Sequence, residues 1–285
     1  MIKDWLAEYS PKNKDEAQSG LREIMQEVAL AGLYRGGFFE KAAFYGGTAL
    51  RIFHGLDRFS EDLDFSLLQS DPDFFLDKYL DAIQTEFQAL GMDVSVKEKK
   101  KTKDTHVDSA FLKSETILKE LVLEGIIPQS GLSQPAGIKI KIEVDTVPPV
   151  GFETEEKLLL RPFSFYVKCF TLPNLFAGKM HALLFRKWKE NVKGRDWYDF
   201  EWYVKKGIAM NLKHFIERAQ GNGDLTDEKL TEEQFRKLLI DRIESVDMEK
   251  VKADAVRFIP DSKRLDIWSK KYFSDLAGHL KINLK

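Results

Sequence analysis

Between Asp15 and Leu33 the apolar residues Leu21, Ile24, Met25 and Val28 recur at helical spacing, and Gly36-Gly37 follow where a left-handed C-terminal cap belongs. An amphipathic helix is predicted there. The segment from Phe44 to Gly55 reads as a glycine turn, Gly46-Gly47, opening a short helix that stops at Gly55. The period then changes from 3.6 to two. In Glu61-Asp62-Leu63-Asp64-Phe65-Ser66-Leu67 the side chains of Leu63, Phe65 and Leu67 face one way and those of Asp62, Asp64 and Ser66 the other. Residues 73 to 90 return to helical period through Leu76, Tyr79, Leu80, Ile83, Phe87 and Leu90, with Gly91 as the stop, and a strand is predicted over Met92 to Lys97. The stretch from 105 to 137 is weakly patterned, with a strand, a helix near Glu115 to Leu123, and a loop rich in Gly, Pro, Ser and Gln as its candidates. Ile138 to Asp145 alternates cleanly, placing Lys139, Lys141, Glu143 and Asp145 on one face before the Pro148-Pro149 exit. After residue 165 the pattern is helical, over about Thr171 to Lys189, Asp196 to Lys206, 211 to 220, 231 to 243 and 264 to 280. The shift near 166 divides the chain into an α/β domain, 1–165, and a helical domain, 166–285.

Composition sets the limits around this pattern. Of 285 residues 43% are hydrophobic, 21 of them Phe, so apolar surface is ample for folding and global disorder is excluded. With 44 basic against 46 acidic side chains and a net charge of -2, indiscriminate coating of nucleic acid is disfavoured, while a local basic groove stays open. The run Lys97 to Lys103 reads as a solvated loop. No stretch approaches the roughly 18 apolar residues of a membrane span, and the opening MIKDWLAEYS has no apolar core after a basic start, so a cytoplasmic location and no membrane partner are expected. The single cysteine, Cys169, excludes an intramolecular disulfide and a cysteine zinc site, and reads as a small buried hydrophobe. The five histidines show no metal-ligand spacing, and phosphate-loop, zinc-protease and nucleophile-elbow motifs are absent. Trp188, Trp197, Tyr198, Trp202 and Tyr203 read as a helix-packing cluster.

Chemistry enters with the order of the motifs. A Gly-Gly-Thr turn opens a helix, Asp62-x-Asp64 follows on a strand, and a further acidic strand comes at Glu143 or Asp145. Nucleotide transfer from a nucleoside triphosphate needs divalent cations held by hard carboxylate oxygens and by the phosphates themselves. Asp62 and Asp64 project to the same side about 7 Å apart along the backbone, within reach of one metal. A third carboxylate from a neighbouring strand completes the set. Glu143 and Asp145 share a face, and Glu143 is preferred because it lies nearer the strand's middle. Gly46 and Gly47 let backbone N–H groups approach phosphates at a helix start, and Thr48 and Ser60 add hydroxyls. Arg51 and Arg58 are candidates for phosphate contact, or for pairing with Glu61 or Asp62.

The residues Phe44-Tyr45-Gly46-Gly47-Thr48-Ala49-Leu50-Arg51, with Arg58-Phe59-Ser60-Glu61-Asp62-Leu63-Asp64-Phe65, closely resemble the AbiEii family of nucleotidyltransferase-like toxins, within the DNA polymerase β-like nucleotidyltransferase superfamily. Lys179-Met180-His181-Ala182-Leu183-Leu184-Phe185-Arg186 and Gly194-Arg195-Asp196-Trp197-Tyr198-Asp199 resemble its later motifs, in which a helix lysine and a downstream aspartate are needed for activity. The resemblance spans roughly residues 20 to 205. Lys179 and Arg186 are seven apart and so share a helix stripe, His181 lies on another face, and Asp196 and Asp199, three apart, offer two candidates for the aspartate. A plain interhelical salt bridge between Lys179 and Asp196 is the competing reading.

The expected fold is therefore α+β, a nucleotidyltransferase fold with a small mixed sheet flanked by helices and a helical C-terminal domain after it. The catalytic set is Asp62, Asp64, Glu143, Lys179 and Asp196. Mg²⁺ or Mn²⁺ is expected on Asp62, Asp64 and Glu143, and the nucleotide on Gly46, Gly47, Thr48, Arg51, Ser60 and Lys179. The resemblance implies a toxin of a toxin-antitoxin or phage-defence pair, an antitoxin partner, a nucleoside triphosphate substrate, and an RNA acceptor such as the tRNA 3′ end. Rival readings are a phosphotransferase or protein-nucleotidylating enzyme on the same fold, and a catalytically inactive binding scaffold.

Overall fold

The computed structural model describes residues 1–98, 116–123, 138–148, 151–186, 192–226, 229–259 and 261–284. Contacts divide the chain into two compact units: Met1–Ala49, Phe59–Pro148 and Glu155–Cys169 form the first, and Leu50–Arg58, Pro149–Thr154 and Phe170–Lys285 the second.

In the first unit a short helix, α1 (Ile2–Glu8), precedes the predicted amphipathic helix, α2 (Lys14–Arg35). Asn13 caps α2, its side chain accepting from the Glu16 N–H at 2.9 Å. At its other end Gly36 is still right-handed and Gly37 takes the left-handed turn at φ 75°. Every residue from Gly20 to Leu33 is buried except Arg22, so α2 is a central element. Then come β1 (Ala42–Tyr45), α3 (Gly46–His54, of which the first four residues belong to this unit), β2 (Asp62–Leu67), α4 (Leu80–Ala89), β3 (Val94–Glu98), β4 (Thr116–Leu123), β5 (Ile138–Asp145), β6 (Thr154–Leu159) and β7 (Phe165–Phe170). These strands form one mixed sheet in the order β3-β4-β5-β2-β1-β7-β6. β2 runs parallel to β5 and antiparallel to β1, which is parallel to β7.

One segment is corrected. The helix expected near Glu115 to Leu123 is β4, paired antiparallel with β5 from Thr116↔Asp145 to Leu123↔Ile138. Its apolar residues suit either period, and eight residues of ladder along β5 decide for the strand. The lysines at 99–103, the stretch 105–115, most of the loop before β5, and Trp188 lie outside the described residues.

Beneath the sheet Leu63, Phe65, Ile142 and Val144 are fully buried, and Phe65 meets Phe38 and Phe44 at ring centroids of 4.9 and 5.1 Å. α2 and α4 touch at Gly32, where a Cβ would come within 2.5 Å of the Ile83 Cα.

Glu27, buried on α2, faces Arg161 at 2.8 Å, with Glu8 and Tyr9 at the same guanidinium and Glu23 accepting from the Tyr9 hydroxyl at 3.0 Å. Burial outweighs Arg161 and pushes the Glu27 carboxyl from 4.5 up to about 7. The folded state thus holds a proton that the unfolded chain has lost between those values, and stability falls as pH rises across that window. Glu27→Gln should remove this slope, worth about 3 kcal/mol between pH 4.5 and 7. Urea unfolding of both proteins across that range checks it, and parallel pH curves would refute it.

The second unit carries α5 (Leu172–Phe185), α6 (Gly194–Lys205), β8 (Ala209–Asn211), α7 (Leu212–Gly221), α8 (Glu232–Ser245), α9 (Met248–Ala255), α10 (Lys270–Gly278) and β9 (Lys281–Asn283), with β8 and β9 pairing parallel. The helix expected over 264–280 is a short 3-10 turn, Ser262–Leu265, followed by α10, because Ser269 caps the latter by accepting from the Tyr272 N–H at 3.1 Å. The α6 aromatics are core: Trp197 and Tyr203 are buried, Trp197 against Phe273 and Tyr203 stacked on Phe176 at 4.2 Å. No helix of the described residues is long and apolar enough to cross a membrane.

Candidate active site

In the first unit, alternation along β2 sends Leu63 and Phe65 into the core and leaves Asp62 and Asp64 half-buried on the other face. The register with β5 sets Lys141 beside Asp62, Glu143 beside Asp64 and Asp145 beside Ser66. Of the two acids that alternation left open, Glu143 is the cross-strand neighbour of Asp64. Asp145 instead accepts from the Val147 N–H at 3.1 Å, at the strand's exit. Glu143 is ion-paired with Lys141, so an ammonium sits within the acidic face. Among the described residues no group of three or more His, Cys, Asp or Glu side chains is gathered as a ready-made metal site.

On its other side Asp64 is in register with Tyr45, the last residue of β1, and the chain turns at once into α3 at Gly46, φ 86°. A Cβ on residue 46 would lie 2.3 Å from the Asp64 Oδ2 and 3.1 Å from its Cγ. The carboxylate therefore rests against the first turn of α3, in space that only glycine leaves open. Gly46→Ala should cost about 1–3 kcal/mol through the positive φ and displace the Asp64 carboxylate. The expected result is a folded protein with most of its activity lost, read by thermal unfolding beside an activity assay; full activity would refute the contact.

Thr48, expected to serve phosphate, is fully buried and its hydroxyl donates to the Asp62 carbonyl oxygen at 2.5 Å. That bond fastens the start of α3 to β2. Ser60 is half-buried, and its carbonyl accepts from the Gln26 side-chain amide at 3.3 Å. Glu61 pairs with Arg22 at 3.2 Å. The donors fit a small divalent cation: Mg²⁺ takes one or two carboxylates and completes its shell with water and substrate phosphates rather than with an all-protein cage. Asp62 and Asp64 are such a pair, with the Gly46 cradle holding one of them in place.

In the second unit, the Arg51 guanidinium donates to the Leu56 carbonyl at 3.1 Å. Arg58 meets neither of the acids expected for it. It is buried and donates from Nε and Nη2 to the two oxygens of Asp199, each at 2.6 Å. Lys179, on α5, lies 2.8 Å from Asp199 Oδ2 and 3.3 Å from Asp196 Oδ1, and Arg186 reaches Asp196 Oδ2 at 3.5 Å. Both aspartates of the GRDWYD motif thus meet the helix lysine. Burial would raise the Asp199 carboxyl, but Arg58 and Lys179 outweigh it and hold it below the usual carboxylate range. His181 is pushed down to about 3 by burial, with Arg218 and Arg186 nearby, so it stays neutral near pH 7 beside Asp224 at 3.0 Å. The Arg58–Asp199 pair went unread in the sequence because its members are 141 residues apart.

An acidic strand pair beside a glycine-opened helix, on a mixed α+β sheet, is an arrangement suited to nucleotidyl transfer. The chain belongs to the nucleotidyl transferase AbiEii toxin family of type IV toxin-antitoxin systems, whose profile matches residues 28–276. Membership makes it a nucleotidyltransferase by family and implies a triphosphate substrate and an antitoxin partner. Two solved structures from Helicobacter pylori are similar, each at 16% identity and a TM-score of 0.49. One, described as a candidate nucleotidyltransferase, is matched over 90% of each chain, and the other, JHP933, over 92% of this chain and 88% of its own. Among curated proteins no relative matches.

Proposed function

We propose that this protein transfers a nucleoside monophosphate from a nucleoside triphosphate to an acceptor hydroxyl, with an RNA 3′ end such as that of tRNA as acceptor. The observation that carries the reading is the Asp62–Asp64 pair on one face of β2, its second carboxylate lying against the Gly46 turn. Asp62 and Asp64, with Glu143 beside them in register, would hold Mg²⁺ or Mn²⁺. When bound, such a cation lowers the pKa of the attacking hydroxyl and offsets the charge of the departing pyrophosphate. Backbone N–H groups at Gly46 and Gly47 face the phosphates, kept in place by the Thr48 bond to Asp62. Lys179 supplies a cation for the triphosphate, and Asp196 holds that ammonium together with Asp199. The acceptor hydroxyl gives up its proton to solvent as its oxygen attacks the α-phosphorus in line, the bond from that phosphorus to the bridging oxygen breaks, and pyrophosphate leaves.

The test is incubation of the purified protein, freed of antitoxin, with total tRNA, Mg²⁺ and each nucleoside triphosphate labelled at the α- or the γ-phosphate. Label from the α-position alone on RNA is expected. Label from the γ-position would mean phosphotransfer, α-label on protein would mean protein nucleotidylation, and no label at all would leave a binding scaffold.

A further inference from the structure

The charged side chains around α6 in the second unit are graded by burial. Arg58 and Asp199 are sealed, at 1% and 0% side-chain exposure, while Lys179 keeps 15%. Asp199 Oδ2 is shared: it accepts from the guanidinium at 2.6 Å and lies 2.8 Å from the Lys179 ammonium. The remaining oxygen, Oδ1, is taken by Arg58 Nε. A planar guanidinium bound through two parallel hydrogen bonds fixes the plane of the carboxylate as well as its position. The lone pairs left on Oδ2 then point in one direction, and the flexible four-carbon stem of Lys179 is drawn to one place.

A buried ion pair is weak support for a stability role, because well-packed apolar residues of similar volume commonly do as well or better. Its burial here calls for another purpose, and its partially exposed neighbour Lys179 supplies it. We propose that Arg58 is a positioning residue that acts through Asp199, orienting the Lys179 ammonium for the phosphates of a nucleoside triphosphate. This rests on the reading of Lys179 as the cation that meets the nucleotide. It also divides the two motif aspartates: Asp199 is the fixed anchor, whereas Asp196, which receives Lys179 at 3.3 Å and Arg186 at 3.5 Å, holds its cations more loosely.

The test is a mutant cycle built on the double substitution Arg58→Met with Asp199→Leu, which removes both buried charges together and leaves neither unpaired. Lys179→Ala is made in the wild type and in that background, and each protein is assayed for affinity towards a fluorescent nucleoside triphosphate and for label transfer. In the wild type Lys179→Ala should weaken binding and transfer about tenfold or more, and the double substitution should do nearly as much on its own. Adding Lys179→Ala to the double variant should then cost little more, under about threefold. Losses that multiply in full would overturn the proposal and leave the pair a packing feature. If Lys179→Ala changes nothing in the wild type, the assignment of Lys179 itself fails, a different failure from the first. Should the double variant not fold, the cycle is run with Arg58→Lys, which keeps the charge and removes the fork. The same non-additivity is expected there, and full multiplication overturns the proposal equally.

Discussion

Asp64→Ala should lower nucleotide transfer by a factor of about 10²–10³ or more while the protein stays folded. The two halves of this expectation have separate grounds. Activity falls because Asp64 is the acid seated against the α3 turn, next in register to Glu143 on one side and to Tyr45 on the other. Leu63 and Phe65 beside it point into the core, and Asp62, the other acid of the face, is in register with Lys141 rather than with Glu143. Stability is spared because Asp62 and Asp64 share a half-buried face, where like charges repel and ion pairs contribute little, so unfolding should move by no more than about 1 kcal/mol. Loss of one carboxylate relieves that repulsion, and a slightly higher melting temperature would be consistent. The measurements are label transfer and thermal unfolding on the same preparation. If expression of the wild type inhibits growth, the variant should not. Toxicity that persists in a folded Asp64→Ala protein would replace the enzymatic reading with a binding one.

How far the sequence led depended on how local each signal was. The acidic face of β2 was legible from alternation alone, because six residues with three buried apolar positions leave no other way to set Asp62 and Asp64. β5 was equally plain. Between them, register was not legible: alternation put Glu143 and Asp145 on one face, but only the ladder sets Glu143 beside Asp64. Short or two-sided elements escaped. β1 is four residues long with Ala42, Ala43 and Phe44 all buried, so it shows no period, and β6 exposes three of its six residues and carries little apolar signal. Side-chain partnerships across long separations escaped as well. Thr48 looked like a phosphate ligand and bonds backbone, and Arg58, a candidate for phosphate contact or for pairing with Glu61 or Asp62, is buried against Asp199. In both cases the partner was set by tertiary structure, which the residue type alone does not carry.

The same limit applies to Gly194, which opens the GRDWYD motif and whose constraint comes from a helix that periodicity did not reveal. A Cβ at this position would lie 2.0 Å from the Val251 carbonyl oxygen, 2.6 Å from the Ala255 backbone nitrogen and 2.8 Å from the Ala255 Cβ. These are mostly backbone atoms of α9, which cannot swing aside as a side-chain tip would. The Gly194 N–H also donates to Asp254 Oδ2 at 2.8 Å, so the start of α6 is pinned to α9 from two directions. Gly194→Ala should therefore destabilise the protein by about 3 kcal/mol, at the upper end of the usual range for overpacking. Gly178, inside α5, is the control: a Cβ there meets nothing within 4 Å. Gly178→Ala should stabilise by about 0.4–1 kcal/mol, because alanine loses less backbone entropy in a helix. Chemical denaturation of the two variants beside the wild type gives the comparison, and equal stability for Gly194→Ala would mean that α6 and α9 do not cross this closely. An effect on chemistry should accompany the loss. Asp196 and Asp199 follow Gly194 by two and five residues, so relief of the clash by a shift of the α6 start would move the aspartates that hold Lys179.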